Sequence, residues 1–179
     1  MSWVISPIDA IGRSASSLRK DRFNSGNAEL DRYLKQYALK NDLNGISKTF
    51  VAFSSENTQI VAGYYSCCAG AIASEQLPAQ LRENLPRYPM PVILIGKLAV
   101  DLSMQGRGLG KHLLFHALEK AVNISQLIGI FAVRVDAIDE EAKRFYKKFG
   151  FQELPNIPLS LYLTMETFKQ ALNIDIEDK

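Results

Sequence analysis

Leu98-Ala99-Val100-Asp101-Leu102-Ser103-Met104-Gln105-Gly106-Arg107-Gly108-Leu109-Gly110-Lys111 is the stretch on which the fold reading turns. An apolar run, Val92 to Ile95, comes just before it, and apolar residues at helical steps (Leu109, Leu113, Leu114, Ala117, Leu118, Ala121) follow from its end. The order is therefore strand, tight glycine turn, helix. The first turn of a helix leaves amide N–H groups without intrahelical partners and carries the positive end of the dipole. Glycine, in turn, lets the backbone come close to a bulky anion. Together these features have the build of a phosphate cradle.

Spacing narrows the ligand. A Walker loop needs Gly, four residues, then Gly-Lys followed by Ser or Thr, but counting from Gly110-Lys111 puts Gln at 105 and His at 112. A dinucleotide fingerprint starting at Gly106 and Gly108 needs a third glycine where Lys111 stands. What remains is Gln105-x-x-Gly108-x-Gly110.

A chain of 179 residues suits one well-packed α/β domain, read here as spanning 1–179 with an acidic, mobile tail from about 173. Hydrophobic residues make up 47% and charged residues 22%, as in ordinary globular chains, and no apolar run reaches the ~20 residues of a membrane span. Met1-Ser2-Trp3-Val4 carries no export signal, so a cytoplasmic protein is expected. Cys67 and Cys68 are adjacent in a strand-like run, point to opposite faces, and read as buried reduced thiols. A net charge of +2 announces no polyanion partner by itself, but basic residues crowd the first quarter and recur at Lys143, Arg144, Lys147 and Lys148.

In chain order, a strand near Trp3 to Ile8 leads into a basic segment, Ser14 to Arg22, read as loop or frayed helix. Asn27 caps a helix to about Asn41, with Leu30, Leu34, Tyr37 and Ala38 on its apolar face. Thr49 to Ser54 and Gln59 to Cys68 form a hairpin, and a proline-rich excursion, Ile72 to Pro91, carries one short helix from Ala79 to Glu83. Strand Val92 to Asp101, the glycine turn and a helix to about Val122 follow. Phe131 to Asp136 is a strand. Asp139 caps a helix over Glu140 to Lys148, with Ala142, Phe145, Tyr146 and Phe149 inward and Gly150 as its stop. Strands Phe151 to Leu154 and Leu159 to Met165 and an amphipathic turn, Glu166 to Leu172, close the chain.

Gln105-x-x-Gly108-x-Gly110 resembles the acyl-CoA loop of the GNAT N-acetyltransferases. Leu98-Ala99-Val100-Asp101 before it and Ala142-x-x-Phe145-Tyr146-x-x-Phe149-Gly150-Phe151 after it look like the two halves of a GNAT acetyl-CoA site. The resemblance implies the GNAT acetyltransferase fold, α/β, with a mixed, mostly antiparallel sheet and helices on both faces. It also implies that main-chain groups of Leu98, Ala99 and Val100 hold the pantetheine arm of acetyl-CoA. Gln105, Gly106, Arg107, Gly108, Leu109, Gly110 and Lys111 would form the pyrophosphate loop. Phe23-x-Ser25-Gly26-x-x-x-Leu30-Asp31-x-Tyr33-Leu34, Gly63-Tyr64-Tyr65-Ser66, Leu85-Pro86-x-Tyr88-Pro89-x-Pro91-Val92 and Val135-Asp136-Ala137 are similar to the GNAT toxins of bacterial toxin-antitoxin pairs. Those toxins acetylate the α-amino group of aminoacyl-tRNA, pair with ribbon-helix-helix antitoxins and are commonly dimers. Lys97 departs from the pattern, which has Arg there; losing the planar fork alters substrate contacts.

Within that resemblance Tyr146 is the candidate catalytic acid, donating a proton to the departing CoA thiolate. From spacing alone it is one more member of an apolar helical stripe. No Glu or His lies on Val92 to Val100, which suits an amine that titrates near neutrality: at pH 7 an α-amino group of pKa about 7.8 is roughly one-tenth neutral, a lysine only a few parts in ten thousand. Asp101 and Asp136 are candidate bases, but each reads first as a strand end or a turn cap. His112 and His116 have the i,i+4 spacing of a metal pair but lack a third ligand, so no metal is expected. Arg32, Lys35, Lys97, Lys147 and Lys148 are candidate tRNA contacts, the alternative being solvated faces with Glu140 pairing Lys143 and Arg144. The rival readings are an acetyltransferase of a small amine or protein N-terminus, and a CoA-binding regulator without turnover.

Overall fold

The computed structural model describes residues 2–11, 20–55 and 57–177, with 57–59 and 173–177 as backbone only. Strand β1 (Trp3–Pro7) runs into a single helical turn, α1 (Ile8–Ile11). The predicted loop from Ser14 lies outside the described residues as far as Arg19, and its end, Lys20–Arg22, is a 3-10 turn. Asn27 caps α2 (Ala28–Arg32) as expected, its side chain accepting from the amides of Glu29 and Leu30, both at 3.1 Å. The helix then widens into a π-helical segment, Tyr33–Tyr37, before continuing as α3 (Ala38–Leu43). Periodicity alone gives no sign of that widening.

The hairpin strands are β2 (Lys48–Ser54) and β3 (Asn57–Ile72), the latter running past the expected Cys68. The excursion carries α4 (Ala79–Arg82), then β4 (Met90–Val100), and α5 (Leu109–Ser125) follows the glycine turn. Next come β5 (Ala132–Asp136), α6 (Glu140–Lys147), β6 (Gln152–Leu154), β7 (Ile157–Thr164) and α7 (Met165–Glu177). Helix α7 extends past the predicted Leu172, so its backbone enters the acidic end. The seven strands are ordered β1-β2-β3-β4-β5-β7-β6. β4 and β5 pair parallel, whereas β1–β2, β2–β3, β5–β7 and β6–β7 are antiparallel.

Contacts divide the chain into two compact units, Met1–Cys68 with Gly96–Ala117, and Ala69–Ile95 with Leu118–Lys179. In the first, Phe23, Leu30 and Leu34 pack with Val51, Tyr64 and Ala99. Asp42, at the end of α3, is buried and accepts from Lys48 Nζ at 2.6 Å and the Thr49 amide at 2.9 Å, tying the helix to β2. In the second unit, Ile72, Leu77, Met90, Val92, Ala132 and Tyr162 form the core. The excursion is thus an ordered cover, because its leucines and Met90 are removed from water. In β7 the residues from Ser160 to Leu163 are all buried, so both faces are covered and not only the predicted leucine face. Cys67 and Cys68 are free thiols, half-buried and not fully buried as expected.

Candidate active site

The glycine turn hangs from β4 by a set of side-chain bonds in the first unit. Asp101 caps the 3-10 turn Leu102–Met104, accepting from Ser103 N at 3.0 Å, Ser103 Oγ at 2.6 Å and Asn24 N at 2.9 Å. Both of its oxygens are therefore engaged in holding the loop, which favours the turn-cap reading over that of a base. Gln105 Nε2 donates to the Val100 carbonyl at 3.1 Å and the Ser25 carbonyl at 3.3 Å, so this side chain fixes the loop's take-off from β4. Gly106 and Gly108 have φ of 74° and 81°, a region that costs an L-residue about 1–2 kcal/mol. A Cβ at either would meet no atom within 4 Å, leaving the backbone face open to an incoming group.

Leu109 is buried and starts α5, while Gln105, Gly106, Arg107, Gly108 and Lys111 are exposed and Gly110 is half-buried. The amides of the first helical turn have no intrahelical acceptor. A loop with two left-handed glycines, an open backbone face and orphan helix amides fits a pyrophosphate. Gly63 on β3 sharpens the geometry: a Cβ there would lie 2.9 Å from the Ala99 carbonyl and 3.0 to 3.1 Å from Leu113 and Leu109. Only glycine lets the main chain of β4 and the start of α5 come this close. Along β4, the register with β5 ends at Ile95↔Val135, and Gly96 to Val100 continue without a registered partner in it. Ala99 is buried, with Leu98 and Val100 half-buried beside it.

Tyr146 belongs to the second unit. Asp139 caps α6 through the Ala142 amide at 2.8 Å, and Gly150, φ 86°, stops the chain just past it. Of the four residues expected inward, only Tyr146 is buried, 6% exposed; Ala142, Phe145 and Phe149 are half-buried because so short a helix covers only part of its stripe. The Tyr146 ring lies 5.2 Å from Phe145 and 5.7 Å from Phe151. Burial pushes its phenol above the ordinary tyrosine range. Its hydroxyl has no hydrogen-bond partner among the described residues, so the proton is uncommitted.

The basic candidates separate into two kinds. Arg32, Lys35, Lys40 and Lys148 are exposed. Lys147 instead donates to Glu153 at 2.9 Å, and Lys143 bridges Glu153 at 3.2 Å and Glu140 at 3.8 Å. Hydrogen bonds from Lys147 and Lys143 hold the Glu153 carboxyl below its usual range. Sequence reasoning found the Glu140 partner and missed Glu153, which lies on β6 and shares no helical spacing with either lysine. Lys97 Nζ stands 4.6 Å over the Tyr33 ring, whose hydroxyl bonds Ser47 and Ser66, so its charge is aimed by a cation–π contact. His116 Nδ1 is 2.8 Å from the Tyr65 hydroxyl, while His112 is exposed. Among the described residues no group of three His, Cys, Asp or Glu is arranged to hold a metal, and no helix is long and apolar enough to cross a membrane.

Residues 46–153 match the model of the acetyltransferase (GNAT) domain. The chain belongs to the GNAT acetyltransferase family. A tRNA-acetylating toxin of Mycobacterium tuberculosis is 42% identical over 144 residues, covering 80% of this chain and 84% of the relative. A probable toxin, TacT, of Sinorhizobium fredii is 28% identical over 86% of this chain and 90% of its own length. Among solved structures, a tyrosine-to-phenylalanine variant of KacT superposes with a TM-score of 0.87 at 25% identity, over 96% of this chain and 99% of that one. The family's mixed, mostly antiparallel sheet is the architecture found here.

Proposed function

We propose that the protein transfers the acetyl group of acetyl-CoA to the α-amino group of aminoacyl-tRNA and thereby acts as a translation-blocking toxin. The observation that carries this reading is the 42% identity, over four-fifths of the chain, to a protein named for that activity. The chemistry agrees with it. The strand before the loop offers no Glu or His to deprotonate a lysine-like amine, and the carboxylate of Asp101 is held by Ser103 and Asn24. An aminoacyl ester brings an amine that is already partly neutral at pH 7.

On this reading the chain 1–179 works as one acetyltransferase domain. The amides of Gly106 to Lys111 cradle the pyrophosphate, and the main chain of Leu98, Ala99 and Val100 holds the pantetheine. The amine nitrogen forms its bond to the acetyl carbon as the carbon–sulfur bond breaks. Tyr146 donates its phenolic proton to the departing sulfur, and the proton lost by the nitrogen returns through water, so the phenol is restored. Arg32, Lys35, Lys97, Lys147 and Lys148 are the proposed tRNA contacts, with Lys147 also bound to Glu153. A ribbon-helix-helix antitoxin, a homodimeric assembly and a cytoplasmic setting complete the proposal. Incubation with labelled acetyl-CoA tests it: charged total tRNA takes up label and the same tRNA, deacylated, does not. Label on spermine or peptide N-termini, with charged tRNA untouched, overturns the substrate and leaves the family activity.

A further inference from the structure

Lys97 stands on β4, one residue ahead of Leu98, and is half-buried. Among the described residues no carboxylate pairs with it, and its Nζ rests over the Tyr33 ring instead. Lys48, Lys143 and Lys147, by contrast, are each paired with an Asp or Glu. The ring beneath Lys97 is itself held fast. Its hydroxyl lies 2.9 Å from Ser47 Oγ and 2.9 Å from Ser66 Oγ. The ring also stacks on that of Tyr64 at 6.1 Å, and the Tyr64 hydroxyl donates to the Leu30 carbonyl at 2.7 Å. Tyr33 opens the π-helical segment, a local widening of a kind that recurs at functional sites. A cation aimed in this way loses little further side-chain freedom when an anion pairs with it.

Strand direction gives the charge a place. β4 runs through Lys97 to Val100 and on into the glycine turn, and Gly96 to Lys111 all belong to the first unit, as does Tyr33. In the function proposed above, the turn holds the pyrophosphate and Leu98 to Val100 hold the pantetheine. The acetyl end of the donor therefore points back along β4, to the side on which Lys97 stands. The acceptor's reacting end arrives on that side. Its ester is uncharged and its amine is neutral or cationic, so the nearest anion is the phosphodiester that joins the terminal adenosine to the rest of the tRNA. We infer that Lys97, aimed by Tyr33, is the binding site for this last phosphodiester. The inference rests on the proposed function and deepens it, by giving one cation one phosphate. A half-buried ammonium held in one direction fixes the position of the acceptor end, whereas the exposed Arg32 and Lys35 can follow the backbone over a wider range.

Steady-state acetylation of two forms of one charged tRNA tests the site, with acetyl-CoA binding followed by calorimetry. One form is natural; in the other the last phosphodiester is a neutral methylphosphonate. The parent protein should lose about tenfold or more in kcat/KM with the neutral linkage, as for the loss of a hydrogen bond between charged groups. Lys97→Met keeps the apolar stem and removes the charge. It should lose about the same factor on the natural tRNA and nothing further on the methylphosphonate, with acetyl-CoA affinity within about twofold of the parent. Lys97→Arg keeps a cation over the ring and should keep the dependence on that linkage. Equal kcat/KM of the parent on the two tRNAs overturns the inference without any variant. So does a Lys97→Met protein slowed by the same factor on both, the result of a merely structural lysine, or one weakened toward acetyl-CoA, which would give Lys97 to the donor. A parent that acetylates another amine and neither tRNA refutes the proposed substrate and the inference with it; a parent that acetylates both tRNAs equally refutes the inference alone.

Discussion

Replacing Tyr146 by phenylalanine removes one oxygen and leaves a ring of the same shape between Phe145 and Phe151. Packing is therefore preserved and only the proton donor is lost. Tyr146→Phe is expected to keep acetyl-CoA affinity while kcat falls by about 10²-fold, the usual range for a general acid. Turnover within about twofold of the parent would assign the residue to packing. The raised pKa keeps the phenol protonated throughout the neutral range, so no loss of activity on the alkaline side of pH 7 should arise from its titration. Cys67 gives a second measurement at this scale. Burial, with Cys68 and Asp42 adding to it, pushes its thiol up to about 11, so at pH 8 its thiolate fraction is about a hundredfold or more below that of an ordinary cysteine. Alkylation of Cys67, followed by mass spectrometry, should be slowed accordingly. Because the folded pKa is the higher one, this group's contribution to stability is complete below the ordinary thiol range and is lost as pH rises through about 11.

The glycine turn and its neighbours behave as one element. Gly108→Glu forces a side chain into φ 81° and sets a negative charge on the open face, so calorimetry should find acetyl-CoA binding abolished while the circular dichroism spectrum is retained. Unchanged affinity would remove the loop from the cofactor site. Gly63→Ala acts through packing instead. Its Cβ would stand 2.9 Å from the Ala99 carbonyl, a backbone atom that cannot swing away, and overpacking of this kind costs about 1–3 kcal/mol, readable as a lower denaturation midpoint. The two glycines also mark what the sequence could and could not convey. The loop was legible because strand, Gly-x-Gly and helix are contiguous, and the Asn27 and Asp139 caps were legible because capping is local. Gly63 stood inside a strand pattern with no sign of what approaches it, since Ala99, Leu109 and Leu113 are distant in sequence. The π-helical Tyr33–Tyr37 and the Lys147–Glu153 pair were hidden as well. Each depends on partners or backbone register that no periodicity encodes.

For the whole molecule, the proposed acceptor is a polyanion, and its binding should weaken steeply with salt. Neutralising Arg32 with Lys35 should lower the slope of log K against log salt by about 1 to 2 if both touch phosphates. Lys147 with Lys148 should contribute less than two full contacts, because Lys147 already serves Glu153. Salt slopes unchanged in both double variants would move the tRNA to another face. The acceptor's own ionisation adds a pH signature: with a substrate α-amino pKa of about 7.8, kcat/KM should rise about tenfold per pH unit below that value and level above it. The most direct test of the account reads the product. Charged tRNA treated with the protein and acetyl-CoA is digested with ribonuclease, and the released 3′-terminal aminoacyl-adenosine is examined by mass spectrometry. The account predicts that the acetyl group is found on the α-amino nitrogen of the amino acid. Aminoacyl-adenosine released unmodified, while acetyl-CoA is consumed on a small amine or a protein N-terminus in the same mixture, would contradict it.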